Sequence, residues 1–239
     1  SVVANNADFG ISVDPVVDRL ALICENGKPF GEEYTLVSVA DYLLSRVYDE
    51  ALKTGKPADE IAAPYRMTTS SNLSSSRALR DVTERYGGEY SAAAVGEVNV
   101  TTRMKECGAL IGGEGNGGVI YPALHYGRDA MVGVALFLTN LAYRKMKVSE
   151  LRRTYPEYVI AKNKIELSDN SLIDRILEAV KAEYAAEDVN TVDGVKISFE
   201  SRKEWVHLRR SNTEPIIRIY AEAADQKAAD SLAQQIISI

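Results

Sequence analysis

Apolar side chains at Leu36, Val39, Leu43, Val47 and Leu52 recur at roughly helical spacing and predict a long amphipathic helix over residues 34–55. Ahead of it, "GISVDPVVDRLALIC" at 10–24 reads as two short β-rich runs interrupted by a loop from Asp14 to Asp18, and "ENGK" then signals a turn. Beyond the helix, "YRMTTSSNL", "SSSRALRDVTERYGG", "EYSAAAVGE", "NVTTRMKECG" and "ALIGG" alternate strand-like and helix-like character. A glycine-rich turn at 112–118 leads through "VIYPAL" into a predicted helix from about 128 to 146. This alternation implies an α/β domain whose loops gather at one edge of a sheet.

The pattern changes near "VSELRRTYPEY", where Pro156 and a cluster of charges predict a linker over 148–156 between a first domain, 1–147, and a second, 157–239. The second domain reads as a strand (157–167), a helix (171–185), three strand-like runs and a last helix (225–238). "VDG" at 192–194 is the expected hairpin turn before "VKISFES", and "EWVHLR" and "IIRIYAEA" flank a short polar loop. The order predicts a small two-layer α+β unit.

Composition adds mainly exclusions. With 46% hydrophobic and 26% charged residues, the 239-residue chain can build an ordinary core. Its formal charge of -6 argues against bulk electrostatic binding to nucleic acid or to an anionic membrane, both of which need a positive surface. The apolar run "MVGVALFL" at 131–138 is too short to span a bilayer, and the first residues lack a basic stretch followed by an apolar one, so a soluble, cytoplasmic protein without a secretion signal is expected. Cys24 and Cys107 have neither C-x-x-C spacing nor a histidine nearby in sequence, which favours two buried free thiols over a disulfide.

Three loops carry candidate chemistry. In "RRSNTEPIIR" at 209–218, Arg209 and Arg218 present planar forks of donors, and Ser211, Asn212 and Thr213 add hydroxyl, amide and backbone donors, an arrangement suited to wrapping a phosphate. By composition alone an ordinary polar turn with solvated arginines is equally open. "GGEGNGG" at 112–118 lets the backbone approach a ligand closely, and Glu114 and Asn116 are its only side chains for hydroxyl-rich ligands; a plain flexible turn is the default alternative. Asp14 and Asp18 stand either as half of a metal site or as a polar break between strands. His207 alternates within a strand beside Trp205 and reads as structural, whereas His125, in a loop, is open to a ligand-contact or a surface reading. "TTSSN" at 68–72 offers serines, but its continuation reads as a strand-to-helix passage with a serine N-cap rather than a nucleophile loop.

"RRSNTEPIIRIYAEA" matches R-x-S-[GN]-T-E-P-x-x-R at every fixed position and so resembles the phosphate-binding loop of the α-D-phosphohexomutase superfamily, the phosphoglucomutase and phosphomannomutase enzymes. The resemblance implies that Arg209, Ser211, Asn212, Thr213 and Arg218 hold the substrate phosphate that is not reacting, with Glu214 and Pro215 shaping the loop. Residues 113–117 fit the family's sugar loop G-E-x-[SN]-G, which implies that Glu114 and Asn116 contact sugar hydroxyls, and "VIYPALHYGRDA" continues the same pattern. The "GEGNGG" form looks closer to the phosphoglucosamine mutase-like and archaeal-type branch. The family's metal loop reads D-x-D-x-D-R around one Mg²⁺; the corresponding residues are Asp14, Val16, Asp18 and Arg19, so the middle carboxylate is absent and weak or no Mg²⁺ binding is expected. Arg19 would face the reacting phosphoryl group.

The resemblance covers the chain but only the second half of a four-domain architecture: an α/β/α domain with a mixed sheet bearing the metal and sugar loops, then the phosphate-binding α+β domain. A phosphoserine loop of the form T-x-S-H-N-P belongs to the first domain and is absent. The expectation is therefore a C-terminal fragment of a hexose phosphate mutase, inactive alone, whose partners are a hexose phosphate and the missing N-terminal domains. A catalytically silent sugar-phosphate-binding module is the alternative. Glucose, mannose and glucosamine phosphates suit Glu114 and Asn116 alike.

Overall fold

A computed structural model describes residues 1–166, 171–211 and 216–238. The chain divides into two compact units, Ser1–Pro156 and Glu157–Ile239.

In the first unit, strands β1 (Phe9–Val13) and β2 (Leu20–Cys24) form an antiparallel pair joined by the Asp14–Arg19 loop. Helix α1 (Glu32–Thr54) follows, ended by Gly55 in the left-handed conformation that favours glycine. Short helix α2 (Ala58–Ala62) leads to strand β3 (Arg66–Asn72), helix α3 (Ala78–Arg85), strand β4 (Glu89–Ala93), helix α4 (Glu97–Cys107), strands β5 (Ala109–Glu114) and β6 (Gly118–Ile120), and helices α5 (Ala130–Arg144) and α6 (Val148–Arg152). The sheet order is β4-β3-β5-β6, parallel except for the β5–β6 hairpin.

Helices cover both faces of this mixed sheet. Thr69 of β3, abreast of Ile111, hydrogen-bonds Thr83 of α3 at 2.6 Å. Gly112, next along β5 and hence on the opposite face, abuts α4 so closely that a Cβ there would lie 2.6 Å from Met104 Sδ. The middle strand β3 is unusual in kind. Central parallel strands are normally apolar runs, yet Thr68, Thr69, Ser70 and Ser71 are all buried. Hydroxyl pairing replaces part of the apolar contact: Ser71 Oγ lies 2.9 Å from Tyr90 Oη.

Residues 148–156, expected as a linker, belong to the first unit. Val148, Leu151 and Tyr155 are buried, Arg152 donates to the Phe30 carbonyl at 3.0 Å, and Tyr34 Oη donates to the Pro156 carbonyl at 2.7 Å. The charges that suggested a linker are used locally. Tyr155 also reaches a buried cluster in which Asp41 accepts from Tyr86 and from Arg144, each at 2.8 Å.

The second unit is an antiparallel sheet of order β7-β11-β10-β9-β8, built from β7 (Val159–Glu166), β8 (Asp188–Asn190), β9 (Val195–Phe199), β10 (Glu204–Arg210) and β11 (Ile216–Ala223). Helices α7 (Ser171–Glu183) and α8 (Gln226–Ile237) cover one face, where Val206, Leu208, Ile217 and Ile219 pack with Ile173, Val180, Leu232 and Ile236. Both cysteines are free thiols; Cys24 is buried and Cys107 half-buried. Among the described residues no helix is long and apolar enough to cross a membrane.

Candidate functional site

The β1–β2 loop is organised around Asp14. Its Oδ1 accepts from the backbone N–H groups of Asp18 and Arg19 at 3.0 and 3.1 Å, and its Oδ2 accepts from Arg19 Nε at 3.2 Å. Desolvation opposes ionisation, but these donors outweigh it and hold the Asp14 carboxyl at about 2. Asp18 moves the other way: desolvation and then the adjacent Asp14 carboxyl raise it, against the pull of Arg128 and Arg19. Val17 occupies the left-handed region at φ 58°, a strained position for a β-branched residue. Val16 extends into solvent, 75% exposed.

The glycine-rich segment is an ordered β5–β6 hairpin. Gly113 and Gly117 lie at φ 157° and 86°, and a Cβ at Gly117 would sit 2.3 Å from the Leu20 carbonyl, while Leu20 N–H donates to Gly117 O at 3.1 Å. Close backbone approach thus fastens the hairpin to β2. Glu114, only 6% exposed, accepts from Asn72 Nδ2 and from Arg128 Nη1, both at 2.9 Å. Asn116 Oδ1 accepts from Gly118 N–H at 3.2 Å.

Arg128 joins these two loops and was not singled out from sequence. Its guanidinium reaches Asp18 at 2.5 Å, Glu97 at 3.2 Å and Glu114 at 2.9 Å, and its backbone N–H donates to Glu97 Oε1 at 2.9 Å. Four carboxylates, Asp14, Asp18, Glu97 and Glu114, therefore share two guanidiniums, those of Arg19 and Arg128. Glu97 and Asn72 were missed as well; each is ordinary in its own segment, and only the fold brings it to Glu114 or Arg128. His125 belongs to the same neighbourhood, but both ring nitrogens are engaged: Nδ1 accepts from Gly127 N–H at 3.0 Å and Nε2 lies 3.1 Å from Asp129 Oδ2. Asp129 in turn caps α5 through the N–H groups of Met131 and Val132. Ser70 and Ser71 are wholly buried within β3, so neither is placed as an exposed nucleophile.

Asp14 and Asp18 are the two carboxylates of this loop that would hold a Mg²⁺ ion. Among the described residues no group of three or more Asp, Glu, His or Cys side chains is arranged to hold a metal ion. Asp14 is held by the backbone N–H groups of Asp18 and Arg19 and by the Arg19 guanidinium, and Asp18 Oδ2 by Arg128, whereas Asp18 Oδ1 is buried without a hydrogen-bond partner among the described residues.

In the second unit, β10 and β11 place Arg209 directly opposite Arg218. Like charges facing each other across antiparallel strands are unfavourable, and Arg209 Nε is buried without a hydrogen-bond partner among the described residues. Ser211, at the start of the connecting loop, is buried and donates its N–H to Ile216 O at 3.0 Å. Asn212, Thr213, Glu214 and Pro215 lie outside the described residues. His207 is buried with Nε2 2.6 Å from the Asp193 carbonyl. Desolvation, helped by Lys196 and Arg209, lowers it to about 4, the state of a neutral structural imidazole.

Comparison with known proteins supplies the family. Residues 33–158 match the profile described as phosphoglucomutase/phosphomannomutase, alpha/beta/alpha domain III, and residues 163–239 match its C-terminal domain. A probable phosphoglucosamine mutase of Methanopyrus kandleri is 31% identical over 100% of this chain and 49% of its own length. A phosphoglucomutase/phosphomannomutase of Thermococcus kodakarensis is 34% identical over 95% of the chain and 46% of its own length. The chain thus spans about half the length of the curated relatives it matches. Among solved structures, a phosphoglucomutase/phosphomannomutase family protein of Burkholderia thailandensis has a TM-score of 0.76 at 21% identity, covering 99% of this chain and 47% of that one, a likeness of fold. The chain belongs to the phosphoglucomutase/phosphomannomutase family and carries its third and C-terminal domains.

Proposed function

We propose that this chain supplies the metal, sugar and phosphate loops of a cytoplasmic hexose phosphate mutase, and that it does not turn over alone. The observation that carries the reading is the facing Arg209–Arg218 pair beside buried Ser211, at the position of the family's phosphate loop. Two opposed guanidiniums, with an Arg209 Nε buried and unpaired among the described residues, call for an anion.

In the proposed reaction a phosphoserine carried outside these two domains gives its phosphoryl group to a free hydroxyl of a hexose monophosphate. The hydroxyl oxygen bonds phosphorus as the serine O–P bond breaks, and the hydroxyl proton passes to the released serine oxygen, directly or through a base. The bisphosphate reorients, and the other phosphoryl group returns to serine by the reverse step. Arg209, Ser211 and Arg218, with Asn212 and Thr213, hold the phosphate that is not transferring. Glu114 has lone pairs left on both oxygens for sugar hydroxyls, and Asn116 offers its amide NH₂. Arg19, with its side chain half-exposed, stands beside the moving phosphoryl group. Mg²⁺, where bound by Asp14 and Asp18, would neutralise charge on that group.

The test is an assay interconverting glucose 1-phosphate and glucose 6-phosphate, run beside a binding titration. The expected result is Arg209-dependent binding without turnover; turnover by the purified chain would overturn the proposal. A second reading, a catalytically silent sugar-phosphate-binding module, is favoured by the exposed Val16 and the guanidinium-capped aspartates. The two part on upstream coding sequence: about two hundred residues bearing a T-x-S-H-N-P loop support the mutase.

A further inference from the structure

The sheet of the second unit has two unlike faces. Ile217, Ile219, Val206 and Leu208 are buried against α7 and α8. Alternation along the strands puts Arg209 and Arg218 on the other face, and the β7–β11 register sets Lys164 directly opposite Arg218. Three cationic residues, Lys164, Arg218 and Arg209, therefore stand abreast on β7, β11 and β10. Directly opposed side chains on antiparallel strands have Cβ atoms about 5 Å apart, and like charges so placed repel. A row of three without a bound anion is unfavourable, and the third member comes from a strand that the phosphate-loop pattern does not include.

Lys164 lies in a shallow surface concavity. Lys162, Asn163, Lys164, Ile216, Arg218 and Tyr220 line a concavity of ≈ 320 Å³. Lys162, opposite Tyr220, holds its ammonium 5.7 Å from the centre of that ring. Among the described residues Glu166, two residues along β7, pairs with Lys164, its Oε1 2.7 Å from Nζ. Both side chains are largely exposed, 60% and 72%, and an exposed ion pair contributes little. A phosphoryl group carrying up to two negative charges and held by two guanidiniums is a stronger partner for the ammonium than an exposed carboxylate.

We propose that Lys164 is a third cationic residue of the anion site and that Glu166 competes with the bound anion for its ammonium. The inference rests on reading Arg209 and Arg218 as the phosphate cradle. It also makes two neighbouring substitutions act in opposite directions, which a merely structural role for β7 would not do.

The experiment is titration of the whole chain with glucose 1-phosphate at low salt, followed by calorimetry. Lys164→Gln is expected to weaken binding roughly three- to fivefold, Lys164→Arg to restore it, and Glu166→Gln to tighten it by a similar factor. Lys181→Gln, which removes one charge from α7 on the other side of the sheet, should leave affinity unchanged. If Arg218→Ala abolishes binding while Lys164→Gln and Glu166→Gln have no effect, the Lys164 inference fails and the cradle stands. Equal weakening by Lys181→Gln and Lys164→Gln would reduce the effect to net charge and also overturn the inference. If glucose 1-phosphate does not bind, or binds equally well to the Arg218→Ala chain, the cradle reading fails and takes the inference with it. Fluorescence of Trp205, the single tryptophan and a residue of β10, monitors folding of each variant.

Discussion

Acid should destabilise the second unit through one residue, His207. The imidazole is 1% exposed, its Nε2 is 2.6 Å from the Asp193 carbonyl, and Tyr220 and Lys196 face it from the flanking strands. Desolvation, with Lys196 and Arg209 adding repulsion, lowers its pKa from 6.5 to about 4. A base whose folded pKa lies below its unfolded pKa is protonated first in the unfolded chain. Unfolding then takes up a proton between these values, so stability is full above 6.5 and is lost as pH falls toward 4. At about 1.4 kcal/mol per pH unit the whole window is worth roughly 3 kcal/mol, of which about 2.5 is already lost near pH 4.5. That is a large part of the stability of a small domain. The assay is urea unfolding followed by Trp205 fluorescence, from about pH 7 to 4.5, for the parent and for His207→Gln. Other carboxylates titrate in both proteins and cancel in the difference. The variant is expected to be the less stable at pH 7 and to gain about 2.5 kcal/mol on the parent by pH 4.5. A gap that stays constant across the window would refute the reasoning.

Three further outcomes follow from the first unit. Arg128→Met leaves Asp18, Glu97 and Glu114 facing one another without their shared cation, and should lower unfolding free energy by roughly 2–3 kcal/mol, since the site is only partly buried; unchanged denaturant midpoints would rule out the hub. Val17→Gly relieves a β-branched residue at φ 58° and should gain roughly 0.5–1 kcal/mol after the entropy cost of glycine, measured by urea unfolding followed by far-UV circular dichroism, and a loss of stability would contradict the strain assignment. Val16→Asp adds a carboxylate to the Asp14–Asp18 loop and should tighten Mg²⁺ binding roughly tenfold by calorimetry, with equal affinity in both chains counting against a metal-loop role.

What the sequence made legible was whatever repeats or is local. Helices α1, α5, α7 and α8 were readable because each buries one stripe against a sheet or a neighbouring helix, and the β8–β9 turn because Gly194 takes φ 75° where a left-handed residue is required. Strand β3 was readable as a strand leading into a helix, but the burial of its hydroxyls was not: Thr69 is buried through its bond to Thr83, a partner supplied only by packing. Helix α6 was lost for a related reason, its charges reading as solvated when Arg152 in fact lies over the Tyr34 ring at 3.4 Å.

The candidate site divides along the same line. Its acidic and basic residues announce themselves through spacing, but their counter-ions come from separate segments. The D-x-D-type pattern suggested that Mg²⁺ affinity turns on Val16 alone. The fold shows that Asp18 is also held by Arg128, which Glu97 and Glu114 keep in place. Metal binding at this loop would therefore be a competition between a cation and two guanidiniums, with the carboxylate count as only one side of it. A third carboxylate at position 16 raises the pull on the cation without loosening Arg128. For that reason the gain expected from Val16→Asp stays modest while the Arg128 cluster is intact.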